Sequence, residues 1–455
     1  MTFTRRDILR HSALTGAAIA VGASFSGIPF GSVVEAAANR PRGRRTGYGP
    51  LAADRAGILD LPHGFHYRIL AKGGDGYTTG FSTYDDGQKL AGDADGAASF
   101  PMGRSGIVLV TNHELSTDEL AERVPLTFHG DPVPTYDPGA AGGTSNIVMD
   151  KHGRVVSTYP SLAGTFNNCG GGPTPWGTWL TCEENQSFVT KQHGYVFEVD
   201  PAGLLTTAQP YIAMGRFNHE AVGIDPATGI AYMTEDNGNG LFYRFVPTDT
   251  SQRHGSLGHG GALSAMHAEG LSRLGEVTTV GTSVRVSWTP IANPDQANLN
   301  ATLANDTVTR STKLEGVWYG NGVVYFCSSY ETVPGLEHVG QIWALDPKSD
   351  TITLVAYIPV GEPTFDSPDN ITVAPNGQMI LCEDGDGEQY LIGLDPRSGE
   401  LWAFARNAMG ENEFAGANFS PDGSTLFVSI QNPSTTFAIT GPWMSAGRSR
   451  HDRGD

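Results

Sequence analysis

The chain has few cysteines and few positive charges, and two common catalytic motifs are missing from it. Its 455 residues include 4 Cys, and 29 Lys and Arg stand against 48 Asp and Glu, which gives a formal net charge of -19. This acidic balance argues against a nucleic-acid partner. The sequence contains no G-x-S-x-G and no G-x-x-x-x-G-K-[ST] motif, which excludes a serine nucleophile elbow and a Walker-type phosphate loop. The cysteine spacing is not that of a zinc ribbon.

Long hydrophobic runs are also missing after the N-terminal segment, so we expect no stable membrane span. At the N-terminus, Arg5 and Arg6 precede an apolar segment between residues 12 and 30, and Ala36–Ala38 offers a cleavage site. The apolar segment is short for a bilayer and is interrupted by Gly, Ser and Pro, which disfavours the alternative of a membrane anchor. We therefore predict a twin-arginine signal peptide over residues 1–38, recognition by the twin-arginine export machinery, and a periplasmic, cell-surface or secreted location.

A short pattern built around a tight turn returns six times along the chain. Each copy has an apolar run, a turn with Gly and usually Pro, a second apolar run and then a polar cluster, which is typical of a β-hairpin. With 59 Gly and 28 Pro to form turns, the repeats predict an all-β fold, a six-bladed β-propeller. Their irregular spacing predicts long inter-blade insertions, chiefly residues 115–145 and 246–312.

The chain is expected to form one large domain and to be a monomer. We predict a basic linker over residues 39–60, a single β-propeller domain over residues 61–440 and a C-terminal tail over residues 441–455. The segment that begins near Leu61 reads as the first strand. Because propellers usually close their ring by pairing terminal strands in one blade, this strand is expected to join the last strands near residues 426–440.

One position of the repeat carries a side chain that can bind metal in five of the six copies. Six blades around a channel would direct this position, one residue per blade, at the channel mouth. Two carboxylates 4 Å apart repel by about 4 kcal/mol at an effective dielectric near 20, so such a ring is expected to hold cations. Carboxylates favour calcium, whereas a thiolate favours iron or zinc, and the mixture predicts a heterogeneous cluster. The six occupants are Asp95, Cys169, Glu220, Glu315, Asp369 and Ala415.

The ends of the second strands add further acidic residues to this ring. The other three cysteines, Cys182, Cys327 and Cys382, share one register position at the end of a β-run and are predicted to be core residues. A structural disulfide that involves Cys169 is the alternative to metal binding. The acidic residues predicted to reinforce the ring are Glu114, Glu183, Glu184, Glu235, Asp236, Glu383 and Asp384.

Sequence blocks spread over nearly the whole chain after residue 38 resemble the PhoX-type alkaline phosphatases. The most specific block surrounds Cys169, and the blocks include LPHGFHYRILAKGGDG, VTNHE, GTFNNCGGGPTPWGTWLTCEEN, GRFNHEA and NFSPDGSTLFVSIQNP. The resemblance implies an exported six-bladed propeller that uses iron (Fe3+) and calcium to hydrolyse a small-molecule phosphate ester. It also implies that Cys169, Glu220 and Glu315 bind iron. Calcium or bridging roles are implied for Glu114, Glu184, Asp236 and Asp369.

Such a cluster predicts hydrolysis by a metal-bound oxide or hydroxide, because a cation lowers the pKa of water from about 16 towards 7. The residues predicted to hold the phosphate by charge-assisted hydrogen bonds are Asn168, Lys313 and Arg216. Members of the resembled family commonly have Arg two residues before the Glu of the fourth repeat, where this chain has Lys313.

Two other functions fit part of the same pattern. A calcium-dependent lactonase, similar to the gluconolactonase propellers, would use Glu and Asn or Asp around one calcium and would leave Cys169 without a role. A non-enzymatic secreted binding propeller would leave the ring of five ligands unexplained. The presence of iron and the hydrolysis of phosphate esters separate the phosphatase from both.

Overall fold

The computed structural model describes residues 47–445, except residues 75–81, 105, 206 and 362–363. The predicted signal peptide and the last ten residues of the predicted tail lie outside this part. The described residues form 30 β-strands and six short 3-10 helices. None of these helices has the length and apolar character needed to span a membrane.

The strands are numbered in chain order. The 3-10 helices cover Thr117–Glu119, Ile212–Met214, Ser256–His259, Leu274–Glu276, Leu299–Thr302 and Trp443–Ser445. The strands are β1 (Leu51–Ala52), β2 (Leu59–Pro62), β3 (His66–Lys72), β4 (Ala94–Met102), β5 (Gly106–His113), β6 (Thr127–Phe128), β7 (Asp131–Pro132), β8 (Gly142–Met149), β9 (Val155–Thr165), β10 (Asn168–Pro173), β11 (Trp179–Glu183), β12 (Val196–Val199), β13 (His219–Ile224), β14 (Ala231–Glu235), β15 (Gly240–Leu241), β16 (Tyr243–Pro247), β17 (Gly261–Ala268), β18 (Ser283–Pro290), β19 (Arg310–Ser311), β20 (Leu314–Gly320), β21 (Val323–Ser328), β22 (His338–Asp346), β23 (Thr351–Pro359), β24 (Pro368–Val373), β25 (Met379–Glu383), β26 (Tyr390–Asp395), β27 (Glu400–Asn407), β28 (Phe414–Phe419), β29 (Thr425–Ile430) and β30 (Thr435–Thr440).

Six consecutive groups of antiparallel strands form the blades of a propeller, which confirms the predicted fold. Blade 1 is β4-β5-β8-β9, blade 2 is β10-β11-β12, and blade 3 is β13-β14-β16-β17-β18. Blade 4 is β20-β21-β22-β23, blade 5 is β24-β25-β26-β27 extended by β2 and β1, and blade 6 is β28-β29-β30-β3. The first strand of every blade contacts the first strands of both neighbouring blades. These six inner strands therefore surround a central channel.

The ring closes through the two ends of the chain, as the sequence predicted. Strand β3 is the outer strand of blade 6 and pairs with β30 from His66 opposite Thr440 to Lys72 opposite Thr435. The N-terminal segment thus completes a sheet whose other three strands come from the end of the chain.

The folded domain begins before residue 61. Leu59 pairs with Asn407 at the edge of blade 5, and Arg406 binds Asp60 at 2.7 Å. Residues 51–60 therefore belong to the propeller rather than to a basic linker, because the GILDLP sequence supplies an apolar strand. At the other predicted boundary, residue 440, the domain also extends further. Trp443 lies in the predicted C-terminal tail but is buried in the same apolar cluster as Leu59.

The two long segments noted in the sequence belong to individual blades. The segment after residue 115 joins β5 to β8 within blade 1 and contains the β6–β7 hairpin. The segment from residue 246 to residue 312 supplies β17 and β18 of blade 3. Strand β18 also pairs with β23, so blades 3 and 4 form one continuous nine-stranded sheet.

The hydrophobic core lies between neighbouring blades rather than at the axis. Six apolar clusters each join side chains of two adjacent blades, and examples are Trp179 between blades 1 and 2 and Trp343 between blades 3 and 4. Burial between the sheets supplies the main driving force for folding. The channel at the axis is consequently free to hold polar groups.

Candidate metal centre

Each inner strand bulges at or next to the position that the sequence predicted to face the channel. In blade 2, Asn168 pairs with Glu183 and Gly171 pairs with Thr181, so Cys169 and Gly170 lie opposite a single residue. The inner strands of the other five blades show the same shift of register. A β-bulge bends the strand and redirects its side chains. The repeated bulge is therefore the local cause of the ring.

Glycine at the second bulge position lets the inner strands approach closely. A Cβ atom on Gly96 would lie 2.7 Å from the carbonyl oxygen of Cys169, and one on Gly170 would lie 2.7 Å from that of Glu220. A real Cβ does not come this close to a backbone oxygen, so these positions have room only for Gly. This close approach brings the ring residues of neighbouring blades together.

Five side chains from four blades form one group of ligand atoms, here named the channel cluster. The ligand atoms of Cys169, Glu184 and Glu220 all lie within 4.8 Å of one another, and the same holds for Glu220, Glu315 and Asp369. Glu220 belongs to both groups and joins them. Four of the five residues are buried and Glu184 is partly buried. The structure thus brings together a thiol and four carboxylates that the sequence placed on separate repeats.

Cys169 is a free thiol within this cluster. Its Sγ lies 3.1 Å from the carbonyl oxygen of His219, and all four cysteines are free and buried. The disulfide alternative is therefore not present in the fold. Cys182, Cys327 and Cys382 each lie opposite a bulge and are fully buried, as predicted. Burial and the neighbouring carboxylates raise the pKa of the Cys169 thiol well above its usual value.

The carboxylates of the ring are in an environment that disfavours their charge. Burial, followed by repulsion from neighbouring carboxylates, raises the pKa of Asp95, Glu220 and Asp369 well above the usual range. Burial also raises the pKa of Glu315, but Lys313 opposes this effect and the pKa is about 7. Such groups stay ionised only when a cation neutralises their charge, and otherwise they bind a proton and become neutral.

Unpaired oxygens in the ring indicate that cations fit there. Oδ1 of Asp95 and Oδ1 of Asp369 are buried and have no hydrogen-bond partner among the described residues. A buried acceptor without a donor costs about 1–3 kcal/mol, and more when it is charged. Oxygen ligands beside a thiol ligand suit a mixed set of hard and softer cations. The residues present therefore fit the predicted metal cluster.

A second layer of acidic residues lies at the channel mouth, one residue after the end of the second strand in four of the six blades. Glu184 contacts Glu114 and Asp236 through hydrogen bonds between carboxyl groups. Nε2 of Gln431 donates to Oε2 of Glu114 at 2.8 Å. Asp384 holds the corresponding place in blade 5, after β25. Carboxyl groups this close share protons or a bridging cation, so Glu114 and Asp236 lie where the sequence predicted further ligands.

Glu383 does not join this layer. Its carboxylate accepts hydrogen bonds from the backbone N–H of Asp366 at 2.7 Å and of Tyr390 at 2.8 Å. Glu183 of blade 2 does the same with Gly194 at 2.9 Å. Successive side chains of a strand point to opposite faces, so the last strand residue binds the neighbouring loop and the following residue reaches the channel. Of the two acidic residues predicted at the end of this strand, Asp384 therefore reaches the channel and Glu383 does not.

Glu413 is an acidic residue of the channel that sequence reasoning missed. Its pKa is raised well above the usual value by burial and then by Asp384, Asp95 and Glu114. The sixth repeat has Ala415 at the ring position, so the pattern assigned no ligand to blade 6. Glu413 lies two residues before Ala415, just ahead of β28, and no spacing rule in the repeats pointed to it.

The structure directs Asn168 away from the channel. Its Oδ1 accepts a hydrogen bond from Thr165 Oγ1 at 2.5 Å and its Nδ2 donates to Thr181 Oγ1 at 2.8 Å, with the side chain fully buried in blade 2. Asn167 lies at the mouth instead and hydrogen-bonds with Glu114. Oδ1 of Asn167 has no partner among the described residues. The phosphate-binding role predicted for Asn168 therefore fits Asn167 better.

The two predicted cationic residues have different surroundings. Nζ of Lys313 lies 2.8 Å from Oδ2 of Asp384 and 3.2 Å from Oε1 of Glu315, inside the acidic ring. Its pKa is raised because the attraction of Glu315 and its neighbours outweighs burial. Arg216 instead donates to Gln192 Oε1 at 2.8 Å and to the carbonyl oxygen of Asp295 at 3.0 Å. Arg216 thus fastens rim loops together, whereas Lys313 belongs to the site.

Comparison with known proteins identifies the family. The family model described as alkaline phosphatase PhoX matches residues 46–158 and 139–434. The structure of Pseudomonas fluorescens PhoX, solved with vanadate described as a transition state analogue, is similar with a TM-score of 0.67 and 20% identity, and covers 88% of this chain and 98% of that chain. A gluconolactonase from Xanthomonas campestris covers 88% of this chain and 100% of that chain with a TM-score of 0.45 and 12% identity. No curated protein sequence matches the chain.

The family match separates the three functions considered from the sequence. It covers nearly all of the propeller, including the block around Cys169, and favours phosphate ester hydrolysis over lactone hydrolysis and over simple binding. The chain belongs to the PhoX alkaline phosphatase family and is a metal-dependent phosphoric monoester hydrolase.

Proposed function

We propose that this chain is an exported phosphatase whose channel cluster holds iron and calcium and cleaves phosphate monoesters at the channel mouth. The observation that carries this proposal is the grouping of a buried thiol with four carboxylates, one of which, Asp369, has a buried oxygen without a hydrogen-bond partner among the described residues. Turn or packing roles do not account for a Cys among converging acids.

The donor set suggests how the ions divide among the residues. Sulfur favours a transition metal, so Cys169 and Glu220 would hold iron, with Glu315 as the next carboxylate. The oxygen-only residues of the ring and the mouth suit calcium, which takes six to eight oxygen ligands. These are Asp95, Glu114, Glu184, Asp236, Asp369 and Asp384. Gly170 supports the arrangement, since its N–H donates to Oε1 of Glu220 at 3.1 Å.

Bound cations would supply Lewis-acid activation of water and would neutralise charge on the phosphoryl oxygens. The protein's own contribution is to position the ester and to balance charge. Lys313 carries its ammonium group between Glu315 and Asp384, where an incoming phosphoryl group would replace Asp384 as its partner. Asn167 offers an amide N–H from the opposite side of the mouth. Such charge-assisted hydrogen bonds are about twice as strong as neutral ones.

Export through the twin-arginine route is the second part of the proposal. It rests on Arg5 and Arg6 ahead of the apolar segment, and that route carries proteins already folded, which suits a protein that must acquire its metals first. Replacing both residues by Lys is expected to prevent export while the cytoplasmic protein stays folded. Normal amounts of processed, extracytoplasmic protein from the double variant would contradict this part.

The decisive experiment is elemental analysis of protein purified from its export compartment, run beside an assay with p-nitrophenyl phosphate. We expect iron and calcium in the protein, and loss of phosphatase activity when calcium is chelated and recovery when it is restored. Full activity after exhaustive chelation, with calcium shown to be absent, would refute the proposal. Calcium without iron, together with hydrolysis of lactones, would instead indicate the lactonase.

A further inference from the structure

A cavity of about 850 Å³ opens beside the channel mouth, against the long segment of blade 3. Its lining includes Asn237, which directly follows Asp236, and Arg310, which lies three residues before Lys313. The backbone N–H of Lys313 donates to the carbonyl oxygen of Asn237 at 3.2 Å. The volume falls within the range of about 300–1,000 Å³ that is usual for small-molecule sites. The cavity therefore adjoins the place where an ester would be cleaved.

The lining is rich in neutral groups that can both donate and accept hydrogen bonds. The described lining residues include no acidic and no aromatic residue, although the whole chain has 48 Asp and Glu. A side-chain amide carries two N–H donors and one carbonyl acceptor, and a hydroxyl group of a ligand needs both kinds of partner. The polar neutral members are Asn237, Asn239, Ser272, Asn298, Asn300 and Asn305.

The two arginines of the lining hold the wall in place and are not available for a second anion. Arg310 donates to the carbonyl oxygens of Asn239 at 3.0 Å and of Asn300 at 3.1 Å. Arg273 forms an ion pair with Glu331 at 2.7 Å. These bonds fix the backbone that carries the amides. Because the wall is already fixed, the protein would lose less conformational freedom when a ligand binds to it.

Asn300 is the most buried of the residues that line the cavity. It lines the cavity, is only 6% exposed, and its side-chain amide makes no hydrogen bond within the described part of the chain. Asn298 lies at the cavity edge with a backbone φ of 51°, a conformation that Asn tolerates well, and its N–H donates to Gln186 Oε1 at 3.0 Å. An amide that makes no hydrogen bond within the protein can both donate to and accept from a hydroxyl group of a ligand.

We propose that this cavity binds the alcohol half of the phosphate ester and that it favours a polyhydroxylated alcohol, such as a sugar or glycerol. The inference rests on the proposed function, since it places the reacting phosphate at the neighbouring channel cluster. A site built to hydrogen-bond hydroxyl groups rejects an analogue that lacks them, because its polar groups are then left unpaired. Without an aromatic side chain among the described lining residues, the cavity offers no surface on which a nucleoside base would stack.

Two measurements test this proposal in the metal-loaded enzyme. The first compares kcat/KM for glucose 6-phosphate with kcat/KM for hexyl phosphate. The second detects binding of methyl glucoside, which has no phosphate, by saturation-transfer NMR, with cyclohexanol as the comparison alcohol. The test variants are Asn300→Ala and Asn298→Gly, the latter because Gly keeps the left-handed backbone. The matched control is Asn321→Gly, which removes an amide from a residue with φ of 54° in the β20–β21 turn.

We expect the wild type to prefer glucose 6-phosphate and to bind methyl glucoside but not cyclohexanol. The preference should fall about tenfold in each test variant and stay unchanged in the control, and the NMR signal should weaken in parallel. An equal loss for both esters, an unchanged preference, or no NMR signal in the wild type would overturn the proposal. If the wild type hydrolyses neither ester, the proposed function fails, and the NMR result alone then decides whether the cavity binds polyols.

Discussion

Nζ of Lys313 lies 3.2 Å from Oε1 of Glu315, although only one residue separates them in the chain. Side chains two apart normally lie on the same face of a strand at a greater distance. Lys313 directly precedes β20 and has a left-handed backbone with φ of 47°. This backbone conformation turns its side chain towards Glu315, the ring residue of the same blade. An ammonium group is thereby fixed among the acidic groups of the channel.

Replacing Lys313 by Met should weaken phosphate binding. The loss of one charge-assisted hydrogen bond corresponds to about 1.5–3 kcal/mol, so we expect the inhibition constant for inorganic phosphate to rise about ten- to hundredfold. Lys313→Arg should keep most of the affinity, since the family commonly has Arg there. Arg397→Met is the control, because it removes a cation that pairs with Asp395 at 3.1 Å on a half-exposed side chain. An unchanged inhibition constant in Lys313→Met would show that the ammonium serves only to balance Glu315.

Cys169 and Cys382 should respond in opposite ways to the same substitution. Cys169→Ala removes a ligand from the channel cluster and should cost at least about a hundredfold in activity together with the iron. Cys382→Ala deletes a buried sulfur opposite a bulge and should cost about 1–2 kcal/mol of stability while turnover is largely kept. Iron content, activity with p-nitrophenyl phosphate and urea unfolding distinguish the two variants. Equal loss of iron and of activity in both would remove the ground for assigning Cys169 to the metal.

Stripping the metals should reverse the effect of pH on stability. The folded pKa values of Asp95, Glu220 and Asp369 lie above those of the unfolded chain. The stripped folded state then binds more protons than the unfolded state, so their contribution is full at about pH 4 and is lost as pH rises through the folded pKa values. Bound cations need deprotonated ligands and act in the other direction. The difference in Tm between loaded and stripped protein should therefore grow from pH 5 to pH 8.

The variant Glu220→Gln tests whether the channel cluster is the source of this effect. It removes the carboxylate that both halves of the cluster share, so the difference in Tm should become smaller and less dependent on pH. Glu411→Gln, an exposed position in the loop before β28, should leave the difference unchanged. A pH dependence that persists in Glu220→Gln would place its origin outside the cluster.

Gly96→Ala should destabilise the fold through the contact between blades 1 and 2. The added Cβ would lie 2.7 Å from the carbonyl oxygen of Cys169, so the two inner strands would have to separate. Overpacking of this kind costs about 1–3 kcal/mol, and we expect loss of metal as well. Gly410→Ala is the control, since its Cβ would meet no atom closer than 4.0 Å. Urea unfolding and iron content would be measured, and an unchanged midpoint in Gly96→Ala would contradict the argument.

The fold and the ring were predictable because the hairpin turn fixes the register of each repeat. The position shared by the repeats predicts the ring residues of blades 1 to 5, and the sequence also predicts that the strand near Leu61 joins the last blade. The sequence does not predict strands β1 and β2, because Leu59 and Asp60 follow a basic stretch that resembles a linker. The repeated hairpin pattern and its Gly and Pro turn residues therefore predict the propeller architecture well.

The errors in the site have a common physical origin. The sequence predicts Asn168 where Asn167 reaches the channel, and it predicts Glu383 beside Asp384 although only Asp384 reaches the channel. Each error is a shift of one residue, next to the bulge or at the end of the paired strand. Since a strand alternates its faces and a bulge inserts an extra residue, counting along the sequence does not reveal which of two neighbours faces the channel.

The pairing of β3 with β30 has a consequence for how the enzyme is made. The residues that would bind metal extend from Asp95 to Glu413, and the sheet that closes the ring takes its last strand from residues 435–440. A growing chain therefore cannot close the ring of ligands until residues 435–440 have left the ribosome. Metal loading would follow closure of the ring and precede the proposed export, and a truncated chain that lacks β30 would have no closed ring to load.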